Sequence, residues 1–291
     1  MKKKNKEFGD LSTNIAMQLA KKTVSIDKCP HLSEAAKNLL QAQAQPPIKL
    51  VSLGEGENKF EAGNETVLFR HEEKFHRPCG IGFILEDSLS DKEIKIKLAG
   101  INELEFERVG QLLNVNLVAI RQNKNKERFI EVLKIVLNNT KLALVLMPSD
   151  AASLKQALEL SKERKPLVYE VTKENIKEIS AVAKEFGAAV VVSDPDLDNL
   201  SNLTKELNNL GLTDLILNTG KKPIAEKIWD LTQIRRLALK KSVRSLGYIS
   251  LVIVDEIDPF DEVIEASTYI SKYAGIILLN SGTSWQALSL L

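Results

Sequence analysis

The fold is decided by an alternation of apolar runs and helical patterns, seen in GAAVVVSDPDLDNLSNLTKELNNLGLTDLILNT at residues 187–219. The apolar run at 188–192 has the length of a buried strand, and the run at 214–217 has the same character. Between them, residues 197–210 carry leucines at helical spacing. Both runs are apolar on both faces, as a parallel sheet covered by helices requires. The stretch therefore predicts a strand–helix–strand unit.

The same alternation continues through the chain from residue 80. Further strands are expected at 81–85, 116–120, 143–147, 167–169, 251–254 and 276–279. Further helices are expected at 104–113, 126–137, 151–162, 173–186, 225–240 and 259–273. Eight such steps over about 210 residues predict a (β/α)8 TIM barrel, with an open doubly wound sheet as the alternative. No G-x-G-x-x-G follows the first strand and no G-x-x-x-x-G-K-[ST] occurs, so a nucleotide-binding fold gains no support.

The final helix of this barrel is predicted to be incomplete. The stretch SWQALSLL at 284–291 has an apolar helical pattern that stops where the sequence stops. A barrel that lacks part of its outer ring exposes apolar surface near its first and last strands.

Composition restricts the functional class. Hydrophobic residues make up 44% of the 291 residues and charged residues 27%, which excludes a wholly disordered chain. The 40 basic and 39 acidic side chains leave a net charge of +1, so no net field attracts nucleic acid or an acidic membrane. Cys29 and Cys79 cannot build a disulfide framework. Without a transmembrane-length apolar run or a secretory signal, the sequence predicts a cytoplasmic protein.

Two shorter regions precede the barrel. In the first, helical apolar spacing is interrupted at Cys29-Pro30, which predicts a small helical module. A Gln45-Pro46-Pro47 linker follows. Beyond it, strand-like composition at 48–53 and 66–69, separated by glycine turns, predicts a β-hairpin. The expected division is a helical module at 1–45, a linker and hairpin at 46–79, and the barrel at 80–291.

Polar side chains that follow the predicted strands are the candidates for chemistry, because the active face of such a barrel lies at the strand carboxyl ends. They are Glu86, Asp87, Arg121, Gln122, Ser149, Asp150, Glu170, Ser193, Asp194, Asn218, Thr219, Asp255, Glu256, Asn280 and Ser281. Asp, Ser and Asn are also ordinary helix N-caps, a role that fits Asp150 and Asp194. An unrelated barrel enzyme using Glu86, Asp194 or Asp255 stays an alternative.

Histidine and cysteine are not among these strand-end residues. His71 and His76 lack the i, i+4 spacing of a metal site and an evident third ligand, so we expect a partly exposed loop that closes one end of the barrel. Cys79 is expected to be a small buried apolar group. Cys29, beside His31, is a free thiol on composition alone, because one cysteine cannot hold an iron–sulfur cluster.

The segment ETVLFRHE at 65–72 resembles the sequence leading into the barrel of the large (gamma) subunit of the corrinoid iron–sulfur protein. That family is the methyl carrier of the acetyl-CoA decarbonylase/synthase system. The stretch DKCPHLSEAAK at 27–37 is similar to the end of the family's cluster module, and QPPI at 45–48 matches its linker. Turns at 166–169, 218–220 and 280–282 fall where the family has comparable barrel turns.

The resemblance implies a three-part methyl carrier. A module with a [4Fe-4S] cluster reactivates oxidised cobalt, a barrel docks the small subunit, and a further domain binds the cobamide. The cobalt takes a methyl group from a methyltetrahydropterin through a pterin methyltransferase and passes it to acetyl-CoA synthase. The resemblance thus implies a methyltransferase component of a heterodimer, working in one-carbon metabolism and carbon fixation.

The sequence departs from the family pattern in two places. Aligning the family's Cys-x2-Cys-x4-Cys-x16-Cys motif on Cys29 puts Lys4, Glu7 and Ser12 at the other positions, so Cys29 alone is carried over as a cluster ligand. No cobamide domain is recognised within the 291 residues, and we expect this chain alone to hold neither group. It is interpreted as a partial large subunit or, alternatively, as a degenerate paralogue acting as a scaffold barrel.

Overall fold

The computed structural model describes residues 46–56, 59–69, 71–72, 77–280 and 282–291. Predictions that fall on other residues, including the helical module at 1–45, lie outside the described residues. The described residues from Pro47 onward belong to a compact unit that spans Pro47–Leu291.

Twelve strands and eight helices lie in this part of the chain. The strands are β1 (Val51–Leu53), β2 (Phe60–Ala62), β3 (Gly80–Glu86), β4 (Glu105–Arg108), β5 (Gln111–Asn114), β6 (Leu117–Arg121), β7 (Ala143–Met147), β8 (Leu167–Val171), β9 (Ala189–Ser193), β10 (Leu215–Asn218), β11 (Ser250–Val254) and β12 (Ala274–Leu279). The helices are α1 (Asp91–Asn102), α2 (Lys126–Asn139), α3 (Ala151–Ser161), α4 (Ile176–Phe186), α5 (Leu197–Asn209), α6 (Ile224–Lys240), α7 (Pro259–Ser271) and α8 (Ser284–Leu290).

Eight of the strands form a closed parallel barrel in the order β3-β6-β7-β8-β9-β10-β11-β12. The barrel closes where β12 pairs with β3, in a register that sets Ile276 beside Gly80 and Leu279 beside Phe83. The predicted (β/α)8 barrel is therefore confirmed, and each of the eight predicted strand positions overlaps a barrel strand.

The barrel strands are buried on both faces, which explains their nearly continuous apolar sequences. In β7, Leu144 and Leu146 pack in the layer between strands and helices. Ala143 and Val145, on the other face of the same strand, pack inside the barrel. Two apolar layers therefore hold the fold together, one inside the barrel and one around it.

A β-hairpin made of β1 and β2 covers the amino end of the barrel. Leu53 and Phe60 belong to the apolar cluster that fills the barrel interior. The Lys49 amide donates to the Gly247 carbonyl at 2.9 Å, just before β11. The hairpin thus replaces water over the strand amino ends with apolar side chains, which favours folding through apolar burial.

The predicted second strand of this hairpin, at 66–69, was wrong. β1 pairs instead with β2, setting Leu53 opposite Phe60. Gly63 and Asn64 both have positive φ, at 98° and 58°, so the chain turns sharply after β2. The apolar composition of 66–69 has another cause, since Leu68 is buried without being in a strand.

A buried ion pair fixes the segment after that turn. Glu65 forms an ion pair with Arg235, which is buried on α6. Arg235 also donates to the Val67 carbonyl at 2.6 Å and lies over the Tyr273 ring, 4.7 Å from its centroid. The start of the ETVLFRHE segment is therefore held against α6 by charge-assisted hydrogen bonds.

The helix predicted at 104–113 was also wrong, because this stretch is the β4–β5 hairpin. Val109 and Gly110 both have positive φ, at 51° and 70°, as a tight two-residue hairpin turn requires. The helix of this unit lies earlier, at α1. Ser90 and Glu93 form a capping box at its start, and Ile94 with Leu98 supplies the buried i, i+4 face.

The eighth helix, α8, covers seven residues and begins with a capping box between Thr283 and Gln286. Buried Glu262 of α7 accepts a hydrogen bond from the Gln286 side chain at 2.9 Å and one from the Asn280 amide at 2.8 Å. These contacts tie α8, α7 and the end of β12 together. Within the described residues, every helix falls short of the length and apolar character needed to cross a bilayer.

Substitution of Gly80 tests how tightly the β1–β2 hairpin packs on the barrel, with Gly100 as the control position. A Cβ at Gly80 would lie 2.5 Å from the Phe60 ring, whereas one at Gly100 in α1 would have nothing within 4 Å. We expect Gly80→Ala to lower the free energy of unfolding by about 1–3 kcal/mol through overpacking. Gly100→Ala should raise it by about 0.5–1 kcal/mol, because alanine has the higher helix propensity. Urea denaturation of both variants measures the difference; equal effects would contradict the tight packing at Gly80.

Candidate functional site

Asn218 centres a polar network at the carboxyl end of the barrel. Its Nδ2 lies 3.0 Å from the Tyr169 hydroxyl, 3.2 Å from Ser193 Oγ and 3.4 Å from Glu170 Oε2. Its Oδ1 accepts a hydrogen bond from the Gly220 amide at 3.1 Å. Burial raises the pKa of Tyr169, so the phenol stays protonated. The network brings together Glu170, Ser193 and Asn218 from the carboxyl-end parts of β8, β9 and β10, which are predicted strand-end residues, and adds Tyr169, which is not.

A buried lysine lies beside this network. Lys227 on α6 is only 3% exposed. Its Nζ donates to Thr219 Oγ1 at 3.1 Å and to the Gly220 carbonyl. Burial lowers the pKa of Lys227 to about 8, although the Asp230 carboxylate favours the charged form. A lysine amine with such a pKa is partly neutral near physiological pH.

A cavity of about 360 Å³ opens between the loops that follow β10 and β11. Its lining combines basic, acidic and phenolic groups, namely Lys221, Lys222, Lys227, Asp255, Glu256, Glu265 and Tyr269, with Pro223, Ile224 and Ile253. Because it lies at the strand carboxyl ends, it occupies the position where barrel proteins bind small molecules.

The charged groups of this cavity are mostly paired. Lys221 Nζ lies 2.9 Å from Asp255 Oδ1, and Lys222 forms an ion pair with Asp230. The Tyr269 hydroxyl donates to Glu265. Burial raises the pKa of Glu265, and the neighbouring Glu256 carboxylate raises it further, so its protonated form persists to higher pH.

Several other predicted strand-end residues hold loops and helices in place. Asp150 is the N-cap of α3, as predicted. Asp196, not Asp194, caps α5; Asp194 instead accepts a hydrogen bond from the Asp196 amide at 2.8 Å. Buried Asp87 accepts backbone hydrogen bonds from Asn123 and Lys124.

The remaining strand-end candidates have separate local partners. Glu86 lies 3.6 Å from Arg121, and Gln122 accepts from the Ser149 amide. Ser281, His31, His76 and Cys29 lie outside the described residues.

In the described part of the chain, neither His71 nor Cys79 belongs to a metal centre. His71 is exposed and its ring stacks on Phe69 at 5.3 Å. Cys79 is half-buried, and burial of its sulfur raises the pKa of the thiol, which disfavours the metal-binding thiolate. Among the described residues, no three His, Cys, Asp or Glu side chains are grouped to hold a metal ion.

Lys227 is the residue that strand-end reasoning missed, because it lies in a helix. A signal was nonetheless present. Lys227, Leu231 and Ile234 follow at i, i+4 and i+7, the spacing of one helix face, and all three are buried. A lysine at a core position of that face is the sequence feature that identifies it.

The barrel belongs to the structural class seen in dihydropteroate synthases. Two solved structures of that enzyme from Thermus thermophilus superpose with TM-scores of 0.57 and 0.55, at 15% and 13% identity. Each comparison covers 82% of this chain and 97% of the other chain. At this level of identity the likeness shows the fold alone.

Sequence comparison identifies the family. A family model described as CO dehydrogenase/acetyl-CoA synthase delta subunit matches residues 50–291, and the chain belongs to this family. This match, together with the 39% identity to a large subunit, confirms the resemblance first seen in residues 65–72.

Curated relatives extend the match beyond the barrel. The chain is 39% identical over 277 residues to the "Corrinoid/iron-sulfur protein large subunit" of Moorella thermoacetica, which covers 95% of this chain and 62% of the relative. It is 29% identical over 290 residues to an "Acetyl-CoA decarbonylase/synthase complex subunit gamma" of Methanothermobacter thermautotrophicus, covering 95% and 63%. The chain thus spans less than two thirds of the length of these relatives.

The N-cap role of Asp150 predicts a measurable pH dependence. Its carboxylate accepts from the Ser153 amide at 2.8 Å, and this hydrogen bond lowers the pKa of Asp150. We expect Asp150→Ala to lower the free energy of unfolding by about 1 kcal/mol at pH 7. Because the folded-state pKa is the lower one, the ionised carboxylate stabilises above about pH 4 and its contribution shrinks as the pH falls further.

Chemical denaturation at pH 7 and pH 3 measures this effect. The matched control is Glu159→Ala, an exposed position on the same helix, which should change the free energy of unfolding by less than about 0.5 kcal/mol. An Asp150→Ala loss that stays constant between the two pH values would contradict the role of the ionised cap.

Proposed function

We propose that this chain is the large subunit of a corrinoid iron–sulfur protein. In this role it takes part, in the cytoplasm, in carrying a methyl group from a methyltetrahydropterin to acetyl-CoA synthase in the reductive acetyl-CoA pathway. The observation that carries the proposal is the 39% identity over 95% of the chain to a protein named as such a large subunit. The family match over 50–291 supports a place in the CO dehydrogenase/acetyl-CoA synthase system, and the assignment as the large subunit rests on the curated relatives.

The described part of the barrel does not fit an iron–sulfur cluster. A [4Fe-4S] cluster needs four thiolates or substitutes. Cys79 is the one cysteine among the described residues, and no metal-holding group of side chains occurs there. We therefore assign the barrel no step of cluster chemistry. In the proposed division, residues 1–45 are a degenerate iron–sulfur-type module in which Cys29 is the one carried-over ligand, residues 46–79 are the linker and hairpin, and residues 80–291 are the barrel.

An exposed apolar face on α7 and α8 supports a docking role for the barrel. Phe260 is 67% exposed and Ile264 is 62% exposed, and they lie four residues apart on one side of α7. Trp285 and Leu288 are exposed on α8 at i, i+3 spacing. The Phe260 and Trp285 rings meet at 4.8 Å between centroids, which joins the two helices into one surface. We call these four residues the α7–α8 face.

The α7–α8 face has the character of a protein interface. Aromatic side chains are enriched at the centre of interfaces, and charged residues are depleted there. The α8 sequence SWQALSL has no charged residue. Large exposed apolar patches otherwise lower solubility. We assign this face to the small subunit of the corrinoid iron–sulfur protein, because the curated relatives are named as a large subunit and as subunits of a complex.

Substitutions on the α7–α8 face should weaken binding of the small subunit. Phe260→Ser and Leu288→Ser each remove an exposed apolar group and leave the barrel core intact. If both residues lie at the interface centre, each should weaken the dissociation constant about tenfold or more, equivalent to ~1–2 kcal/mol. Titration calorimetry of each full-length variant with the small subunit measures this.

Leu160→Ser provides the matched control. Leu160 lies on α3 and is exposed to the same extent as Leu288, 44%. Unchanged binding of the control, with weakened binding of the two face variants, supports the assignment. Equal affinities for all three variants would refute docking through this face.

Metal analysis of the assembled complex separates this function from the alternative of a scaffold barrel. A methyl-carrying assembly should contain cobalt and iron after isolation, and the cobalt should become methylated by a methyltetrahydropterin with its methyltransferase. An assembly that forms through the α7–α8 face but holds neither metal would favour the scaffold.

A further inference from the structure

Lys227 is held by two acceptors that match the two donors of a neutral amine. Its Nζ donates to Thr219 Oγ1 and to the Gly220 carbonyl. An ammonium has three N–H donors, whereas a neutral amine has two N–H donors and one lone pair. With both donors engaged by the loop after β10, the lone pair of the neutral amine is left for the cavity that Lys227 lines.

The surroundings of Lys227 raise the share of this neutral form. The charged groups around it are Lys222 on the preceding loop, Asp230 on α6, Glu265 on α7 and Glu170 at the end of β8. The three carboxylates favour the ammonium, whereas Lys222 and burial oppose it. Burial is the largest effect and brings the pKa of Lys227 to about 8. At pH 7.5 this leaves about a hundredfold more free amine than an ordinary lysine with a pKa near 10.4.

We propose that the Lys227 amine binds small carbonyl compounds that carry an acid group, forming an imine in the 360 Å³ cavity. The site is separate from the proposed docking role, because none of the four residues of the α7–α8 face lines the cavity. Burial and a neighbouring cation, here Lys222, are the means by which enzymes activate a lysine amine towards carbonyl groups.

The cavity also offers positions for the acid group of such a ligand. Lys221 and Lys222 line it, as does the start of α6. Pro223 is the N-cap of α6 and supplies no side-chain hydrogen bond, so the first-turn amides of this helix lack a side-chain cap. Helix amino ends favour anions. Lys221 and Lys222 are paired with Asp255 and Asp230, so the acid group of a ligand takes the place of one of these carboxylates when it binds either lysine.

Imine formation balances with the groups present. The Lys227 ammonium first loses a proton to solvent, and its neutral Nζ then attacks the carbonyl carbon. The resulting carbinolamine loses its hydroxyl as water, with a proton supplied by solvent. The iminium nitrogen then gives up its excess proton to solvent. The net reaction is amine plus carbonyl compound to imine plus water, with no oxidant or reductant.

Reductive trapping with glyoxylate tests the site. The full 291-residue chain is treated with glyoxylate and cyanoborohydride at pH 7.5, and the labelled lysines are mapped by peptide mass spectrometry. Hydride from cyanoborohydride and a proton from water convert the imine into a stable secondary amine. We expect Lys227 to be labelled at least about tenfold faster than exposed lysines, with a rate that reaches half its maximum near pH 8.

Matched variants and a competitor complete the test. Lys227→Met should lose the fast label, whereas Lys97→Met, at an exposed position on α1, should keep it. Pyruvate should slow labelling of Lys227 and leave the exposed lysines unaffected. If Lys227→Met does not fold, the peptide map of the unsubstituted chain decides alone. Labelling spread over exposed lysines with none at Lys227 would show that this lysine only holds the loop after β10, and would overturn the proposal.

Discussion

The pairing of β12 with β3 is the contact on which the rest of the structure depends. Without it the eight strands form an open sheet with two exposed edges, and the interior apolar layer meets water. Gly80 and Gly82 make this closure possible, because a Cβ at either position would collide with Leu117 and with an apolar side chain of β2 or β12. This closed ring positions both the β1–β2 hairpin and the cavity between the loops that follow β10 and β11.

Most of the barrel could be predicted because its strands are buried on both faces and therefore read as apolar runs. The failures occurred where that signal is weak. At 104–113 scattered apolar residues resemble a helix, and only the Val109-Gly110 turn reveals the β-hairpin. At 66–69 apolar residues resemble a strand, but Leu68 is buried outside any strand and β1 pairs with β2.

The candidate site at the carboxyl end of the barrel shows the same contrast. Some of its residues could be predicted from the local sequence, whereas others depend on tertiary packing. Asn218 and Thr219 could be predicted because they follow a strand, and the barrel topology alone brings strand ends together. Lys227 could not be found by that rule, since its approach to Thr219 depends on how α6 packs. Pairings such as Lys221 with Asp255 arise from the juxtaposition of two loops and have no sequence pattern. Family membership relates the chain to CO dehydrogenase/acetyl-CoA synthase. It does not distinguish the role of the α7–α8 face from that of the cavity lined by Lys227.

The barrel closure has a consequence for how the chain folds. Ile276 and Gly80 are neighbours in the ring but stand almost 200 residues apart in sequence (276 − 80 = 196). Each of the other neighbouring strand pairs joins segments that follow one another along the chain, at a far smaller loop-closure cost. Sealing the ring therefore carries the greatest chain-entropy penalty of any strand pairing, and during synthesis it must wait until nearly all of the barrel sequence has left the ribosome. Until then β3 presents an unpaired edge, and the nascent chain is most open to aggregation at the strand that begins its barrel.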